Sequence, residues 1–292
     1  MTGLMQGKKG LIMGVANDHS IAWGIAQACA AQGAQLALTY QGDAFRKRVE
    51  PLAEEIGVKT MVDCDVSDMA NLDRSFAEIE KQMGELDFVV HSLAYSNKEE
   101  LKGRYLDTTM DNFLHTMNVS CYSFTAVMKR AVPLMKQGGS AVTLTYHGAQ
   151  KVMPNYNVMG VAKAALEASV RYLAADLGPQ NIRINAISAG PMRTLAGSAI
   201  GSARKTFKYN TLTAPLRRPV GLEELGSTGV YLLSDMSSAV TGEIHYVDCG
   251  FSVVGMCPSE QWEDLISGGI KIRWNCHKLH LTIISSMIYV NP

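Results

Sequence analysis

Two rhythms of apolar and polar residues take turns along the chain. Short apolar, β-prone runs stand at Gly10–Ala16, Gln35–Tyr40, Lys59–Val66, Leu86–Leu93, Ala141–Tyr146, Arg183–Ser188 and Glu243–Val247. Several are almost unbroken, the pattern of strands that helices cover on both faces. Between them, Ile21–Gln32 and Leu72–Met83 carry apolar residues at helical spacing. Val158–Leu177 is the longest helical stretch, and Gly178-Pro179 supplies its stop signal. This alternation predicts an α/β fold: a doubly wound parallel sheet of about seven strands with helices on both faces. Its ligand site is expected at the carboxyl ends of the strands.

No internal repeat or low-complexity linker interrupts the pattern, so residues 1–256 are read as a single domain. Residues 257–292 do not fit it and form an atypical C-terminal extension. The apolar end of that extension, Leu281–Val290, is too short to span a bilayer. A docked helix or strand, a partner-binding segment and a loose tail all remain open for it.

Composition narrows the function. Of 292 residues, 47% are apolar and 18% charged, enough for a large buried core. Basic and acidic residues balance at 27 each, which gives no support to a nucleic-acid partner or an anionic membrane surface. The six cysteines form no C-x-x-C pair and no Cys/His cluster with metal-ligand spacing, so no metal is expected. The N-terminus runs straight into the first strand pattern without a signal-like apolar core, and no run is long enough for membrane insertion. A cytoplasmic location is expected.

The turn after the first strand reads Gly14-Val15-Ala16-Asn17-Asp18-His19-Ser20-Ile21-Ala22. It is not G-x-G-x-x-G, yet it offers similar chemistry. Gly14 permits a tight turn, and Ser20 can cap the following helix while its N–H and that of Ile21 face an anion. A dinucleotide diphosphate suits such a Rossmann-type helix N-terminus, although an ordinary strand–turn–helix would look the same. The second strand ends at Gln41, where an acid often holds the ribose. Arg46, Lys47 and Arg48 follow as either a 2′-phosphate site or a solvated helix face. Asp65 and Val66 stand where a carboxylate and an apolar neighbour could hold adenine, or where Asp65 merely caps a helix.

The segment after the fifth strand is the richest. Tyr146 ends the strand, Tyr156 opens the long helix and Lys163 follows seven residues later. That step is almost two helical turns, so both side chains share a face about 10 Å apart along the axis. A lysine near a phenol favours the phenolate and sharpens the hydroxyl as a proton donor. Singly, such residues are ordinary packing and surface positions; together at the carboxyl end of a parallel sheet they form a credible acid pair.

These motifs resemble the divergent short-chain dehydrogenase/reductases, and within them the NADH-dependent enoyl-acyl carrier protein reductases. Most of the superfamily shows Tyr-x-x-x-Lys, but here Gly160 follows Tyr156 and Gln150 follows Tyr146 at that distance. The chain has Tyr-x6-Lys and Gly-x5-Ser-x-Ala, as the enoyl reductases do, with the strings Tyr156–Pro191 and Ala214–Val220. The resemblance covers roughly residues 5–256. It implies hydride transfer from NADH, rather than NADPH, to the β-carbon of a trans-2-enoyl thioester in type II fatty-acid synthesis. Tyr156 would stabilise the enolate, Tyr146 would line the site and Lys163 would hold the ribose.

Carried over residue by residue, the resemblance puts Gly14, Ser20, Ile21, Gln41, Asp65, Val66, Leu93 and Lys163 on the cofactor. Met192, Arg193, Thr194, Leu195 and Ala196 would cover its nicotinamide and phosphates, and Ser96 would contact substrate. Thr194–Asn210 corresponds to a mobile flap, or else to a plain surface helix and loop. Acyl carrier protein is the implied partner and a homotetramer the implied assembly. His147 departs from the family, which leads one to expect a bulkier apolar or aromatic residue there. A carbonyl-reducing relative and a non-catalytic dinucleotide-binding scaffold are the competing readings; Tyr-x6-Lys argues against the first and the intact tyrosine and lysine against the second.

Overall fold

The computed structural model describes residues 3–192, 194 and 203–256. Arg193, Leu195, Ala196 and the 257–292 extension lie outside the described residues. All seven expected strands are present: β1 Lys9–Met13, β2 Gln35–Tyr40, β3 Thr60–Asp63, β4 Phe88–His91, β5 Gly139–Thr145, β6 Ile182–Ala189 and β7 Ile244–Val247. They form one parallel sheet in the order β3-β2-β1-β4-β5-β6-β7. The described helices are α1 Ile21–Ala31, α2 Gly42–Glu55, α3 Met69–Met83, α4 Met110–Met117, α5 Ser123–Ala131, α6 Asn157–Leu177, α7 Ala203–Thr213 and α8 Leu222–Leu233. A π-helical turn, Asn118–Tyr122, joins α4 to α5.

Strand residues alternate between two cores, as the two-residue period requires. Leu11, Ala37, Val89, Ala141 and Ile184 pack with α3, α5 and α6 on one face. Ile12, Leu38, Val90, Val142 and Ile187 pack with α1, α2 and α8 on the other. Hence the near-continuous apolar runs.

Element ends differ from the sequence pattern for local reasons. β1 stops at Met13 because Gly14 adopts φ 101°, outside the strand region. β3 stops at Asp63, before a turn in which Asp65 Oδ1 accepts the Ser67 N–H at 2.8 Å. α3 starts earlier than its apolar face because Asp68 Oδ1 caps it, accepting from Ala70 N at 2.9 Å and Asn71 N at 3.2 Å. α6, by contrast, ends at Leu177 as the pattern predicts, with Gly178 as its C-cap and a 3-10 turn after it that closes at Asn181, left-handed at φ 57°. A compact unit closes at Gly255. Among the described residues, no helix is long and apolar enough to cross a membrane.

Candidate active site

β2 and β3 lie to one side of β1, and β4 to β7 to the other. Reversal of strand order at this point opens a crevice between the carboxyl ends of β1 and β4. Gly14 lies where they meet: a Cβ there would stand 2.0 Å from the Ser92 carbonyl oxygen. Only glycine lets the two strand ends come this close.

Ser20 occupies the N-cap position of α1, but its side chain does not cap the helix. Its Oγ turns back, accepting from Ala16 N at 3.0 Å and Asn17 N at 3.1 Å, and donates to Asn17 Oδ1 at 3.1 Å. The expected serine cap is therefore corrected. The hydroxyl is spent on folding the turn, and among the described residues no side chain takes up the first-turn N–H groups of α1, which begins at Ile21. An uncapped helix N-terminus keeps donors and a positive dipole end for an anion, so the turn fits a dinucleotide diphosphate.

At the far side of this half, Gln41 hydrogen-bonds the Asp65 carboxylate, whose Oδ1 also accepts from Ser67 Oγ at 2.6 Å. Burial alone would raise the Asp65 pKa; the bonds from Ser67 and Gln41, with His115 nearby, outweigh it and hold the carboxyl below its usual range. Val66 is buried beside it. Arg46, Lys47 and Arg48 are exposed on α2, with Arg46 3.6 Å from Glu50 and Arg48 over the Phe45 ring. They form the solvated face of that helix.

The other half is built on buried side chains. Tyr146 follows β5 and a 3-10 turn, His147–Ala149, leads toward α6. Tyr156 is 7% exposed and packs with Leu101, Val158 and Met159. It is flanked by Asn155 and Asn157, both left-handed at φ 59° and 40°, a conformation asparagine tolerates. Asn157 Nδ2 donates to the Leu101 carbonyl oxygen at 3.1 Å, tying this corner to the loop after β4. The Tyr146 and Tyr156 rings meet edge to face, centroids 5.2 Å apart. Gly148 lies against both: a Cβ would be 2.5 Å from Tyr156 Cδ1 and 3.1 Å from Tyr146 Cδ1. Gly160 backs onto the Gly148 carbonyl, where a Cβ would be 2.9 Å away, so the Tyr-x-x-x-Lys position has no room for a lysine side chain.

Lys163 is 6% exposed and donates from Nζ to the Leu144 carbonyl oxygen at 2.8 Å. Burial pushes it down to about 8, against the upward pull of Cys121 and Glu167. Tyr156 moves the other way: burial raises its pKa, and Tyr146 and Glu167 raise it further. Tyr146 is pushed up to about 12, by burial and then by Asp248. The expectation that Lys163 favours a phenolate is thus corrected. Burial dominates, and Tyr156 is held as a neutral hydrogen-bond donor.

The segment after β4 carries Leu93, half-buried against the core, and Ser96. It is pinned to α4 and the π turn. Thr116 Oγ1 donates to Ser96 Oγ at 2.9 Å, and Asn112 Oδ1 accepts the Asn97 N–H at 2.9 Å. Ser120 Oγ accepts the Tyr95 N–H at 2.9 Å and donates to its carbonyl oxygen at 3.0 Å. Sequence reading missed this clamp, although Asn112, Thr116 and Ser120 form a polar stripe at four-residue spacing.

It also missed Glu167, 5% exposed on α6 and bonded to Thr145 and Gln150. Met192 is half-buried against the core and Thr194 is among the described residues, whereas Arg193, Leu195 and Ala196 are not. From Ala203 onward the expected flap belongs to α7. His147 is buried against the Tyr246 and Phe251 rings, at 6.3 and 5.7 Å, and burial lowers its pKa against the pull of Asp248. It is a neutral packing histidine.

Known proteins share this arrangement. The family described as Enoyl-(Acyl carrier protein) reductase matches residues 14–252. An enoyl-[acyl-carrier-protein] reductase [NADH] of Rhizobium meliloti is 62% identical over 255 residues, 87% of this chain and 94% of its own length. The crystal structure of the Anaplasma phagocytophilum reductase in complex with NAD superposes with a TM-score of 0.85 at 55% identity, covering 89% of this chain and 97% of that one. That of the Bacillus cereus enoyl-acyl carrier protein reductase, with NADP+ and indole naphthyridinone, superposes with a TM-score of 0.85 at 45% identity, covering 87% of this chain and 100% of that one.

Proposed function

The chain belongs to the enoyl-acyl carrier protein reductase family, and from that premise we propose the reaction it performs and the part each residue plays. It is an NADH-dependent oxidoreductase of fatty-acid biosynthesis that reduces the carbon–carbon double bond of a trans-2-enoyl thioester. NADH, when bound, supplies the hydride that reaches the β-carbon.

The chain's own groups do the rest. Gly14, Ser20, Ile21 and the uncapped end of α1 receive the diphosphate. Gln41, Asp65 and Val66 hold the adenosine end, Leu93 contacts the cofactor, and Met192 and Thr194 are assigned, with Arg193, Leu195 and Ala196 outside the described residues, to its nicotinamide and phosphates. Lys163 spends one of its three ammonium protons on the Leu144 carbonyl and directs the others to the ribose hydroxyls. Tyr156 donates a hydrogen bond to the thioester oxygen as charge develops there, an oxyanion-hole role that needs a phenol kept neutral. Tyr146, whose buried hydroxyl finds no partner among the described residues, lines the same space, and Ser96 borders it.

The observation that carries this reading is the buried Tyr156 packed edge-on against Tyr146 just before α6, with Lys163 buried on that helix. Its test is turnover of crotonyl and acetoacetyl thioesters with NADH and with NADPH. Enoyl reduction with NADH is expected; NADH oxidation with the keto substrate alone would overturn it.

The acyl group is offered on acyl carrier protein, and the assembly is a homotetramer. Exposed apolar side chains on α4, the π turn and α6 (Met110, Leu114, Tyr122 and Tyr172) support subunit contacts there. The cytoplasm is the proposed location; the four described cysteines, all free thiols, suit a reducing compartment. The catalytic domain is assigned to residues 1–256. Ending the chain after Met256 should leave turnover intact, and a folded but inactive product would refute that boundary.

A further inference from the structure

Three buried titratable side chains lie around the Tyr156–Lys163 pair, and the reaction as drawn uses none of them. His91, on β4, has Nδ1 3.0 Å from Thr143 Oγ1 and Nε2 2.9 Å from Ser123 Oγ. Burial, with Lys163 nearby, pushes it down to about 3, so it is a neutral packing group. Cys121, on the π turn, has its thiol raised by burial and is neutral too. Glu167 differs, because its carboxylate grips the site. Its Oε1 accepts from Thr145 Oγ1 at 2.8 Å and its Oε2 from Gln150 Nε2 at 3.3 Å. Thr145 and Gln150 bracket the corner that carries Tyr146, His147 and Gly148. Glu167 also stands four residues after Lys163 on α6, on the same helical face.

We propose that Glu167 is a positioning residue: its buried carboxylate, one turn after Lys163 on the same face of α6, holds the β5–α6 corner at both ends and backs the lysine assigned to the nicotinamide ribose. The proposal rests on the assignment of Lys163 to the cofactor given above. A buried ammonium without a counter-charge sheds its proton. The groups that face Lys163 are His91 from β4, Cys121 from the π turn and Glu167 from its own helix. His91 is neutral at working pH; Cys121 and Glu167 both pull Lys163 upward, and Glu167 is the carboxylate of the two. The groups that feel Glu167 in turn are Tyr156, His147 and Tyr246 besides Lys163. Each of the first two is neutral, and Tyr246 is a phenol raised above its ordinary value by burial.

Glu167→Gln tests the charge alone, since an amide can still accept from Thr145 and pair with a rotated Gln150 amide. The measurement is NADH dissociation constant by fluorescence, with enoyl turnover alongside, from pH 6.5 to 9.5. The variant should match wild type at pH 6.5 and lose NADH affinity about one pH unit earlier, roughly fivefold at pH 8. Glu167→Asp, which keeps the charge but shortens the reach, should restore the pH profile while kcat stays low, because the Tyr146 corner is loosened. An unchanged pH profile in the Gln variant overturns the proposal. So does a uniform loss at every pH with a lowered Tm, which is the mark of a merely structural residue. A shifted NADH profile in a protein that reduces no enoyl thioester would uphold this proposal while sinking the reaction.

Discussion

The two walls of the crevice are built by opposite means. The wall proposed to hold the cofactor works through backbone: a glycine that lets β1 approach Ser92, a turn folded on its own serine, and a helix end left uncapped. The wall proposed to be catalytic works through buried side chains whose protonation is set by their surroundings, with Tyr156 pushed up and Lys163 pulled down to about 8. The first wall should therefore govern affinity, and the second turnover.

Tyr156→Phe is the sharpest way to break that division. Loss of one oxyanion donor in a water-excluded site should lower kcat by about 10²–10³. NADH affinity should change less than about threefold, because the bond matters chiefly when charge develops on the thioester oxygen. Single-turnover kinetics beside NADH titration would decide it. Equal losses in both would mean that Tyr156 holds the ground state.

Gly14→Val is the mirror experiment. A side chain at φ 101° whose Cβ lies 2.0 Å from the Ser92 oxygen must push β1 and β4 apart. NADH affinity should fall by about 10²-fold or more. The folded fraction should be tracked by circular dichroism. A folded variant with wild-type NADH binding would remove Gly14 from the cofactor site.

The same contrast explains what the sequence discloses. Strand runs, α1 and α6 were legible because burial on both faces writes itself as uninterrupted apolar residues. The helical pitch read from Tyr156 to Lys163 does not hold at its start, where Tyr156 precedes α6 and Asn157 is left-handed. Gly14 was legible because a tight turn after a strand imposes its residue type. Direction of shift was not. The lysine beside a phenol suggested a phenolate, yet the burial that reverses this belongs to Leu101, Val158 and Met159, assembled partly from a distant loop. Ser20 looked like a cap because the residue type fits one; its hydroxyl bonds backward to Ala16 and Asn17, which only the fold of the turn decides. Glu167 was overlooked as one acid in a long helix. An acid on the inward face, one turn after a buried lysine, was the available signal.

Lys163 offers a test on the folded protein without substrate. Its ordinary value is 10.5 and its folded value about 8, so the folded state releases the proton first. Between these values the unfolded chain holds more protons, and stability rises with pH. Below about pH 8 both states are protonated and the cost of burying the charge is felt in full. Tyr156 acts oppositely above its ordinary value of 10, where the unfolded phenol ionises and the folded one does not, so stability falls there. Subtracting the Tm–pH curve of Lys163→Met isolates the lysine. Wild type should gain a few degrees on the variant between pH 8 and 10. A flat difference would show that the ammonium is solvated.

The smallest expected effect is at Asp65, and it probes the cofactor wall where side chains do contribute. Asp65→Asn keeps an oxygen for the Ser67 N–H and hydroxyl, bonded at 2.8 and 2.6 Å, and removes only the charge. If the carboxylate accepts from the adenine amino group, its loss should weaken NADH binding about 3–10-fold, the range of a hydrogen bond to a charged group. At saturating NADH, kcat should not move, because the proposed assignment puts Asp65 at the adenosine end and the reacting atoms beside Tyr156. Isothermal titration and full kinetics in NADH would separate the two quantities. Should kcat fall with affinity, the adenosine end would be setting the nicotinamide's position, and the two walls could no longer be assigned separate work.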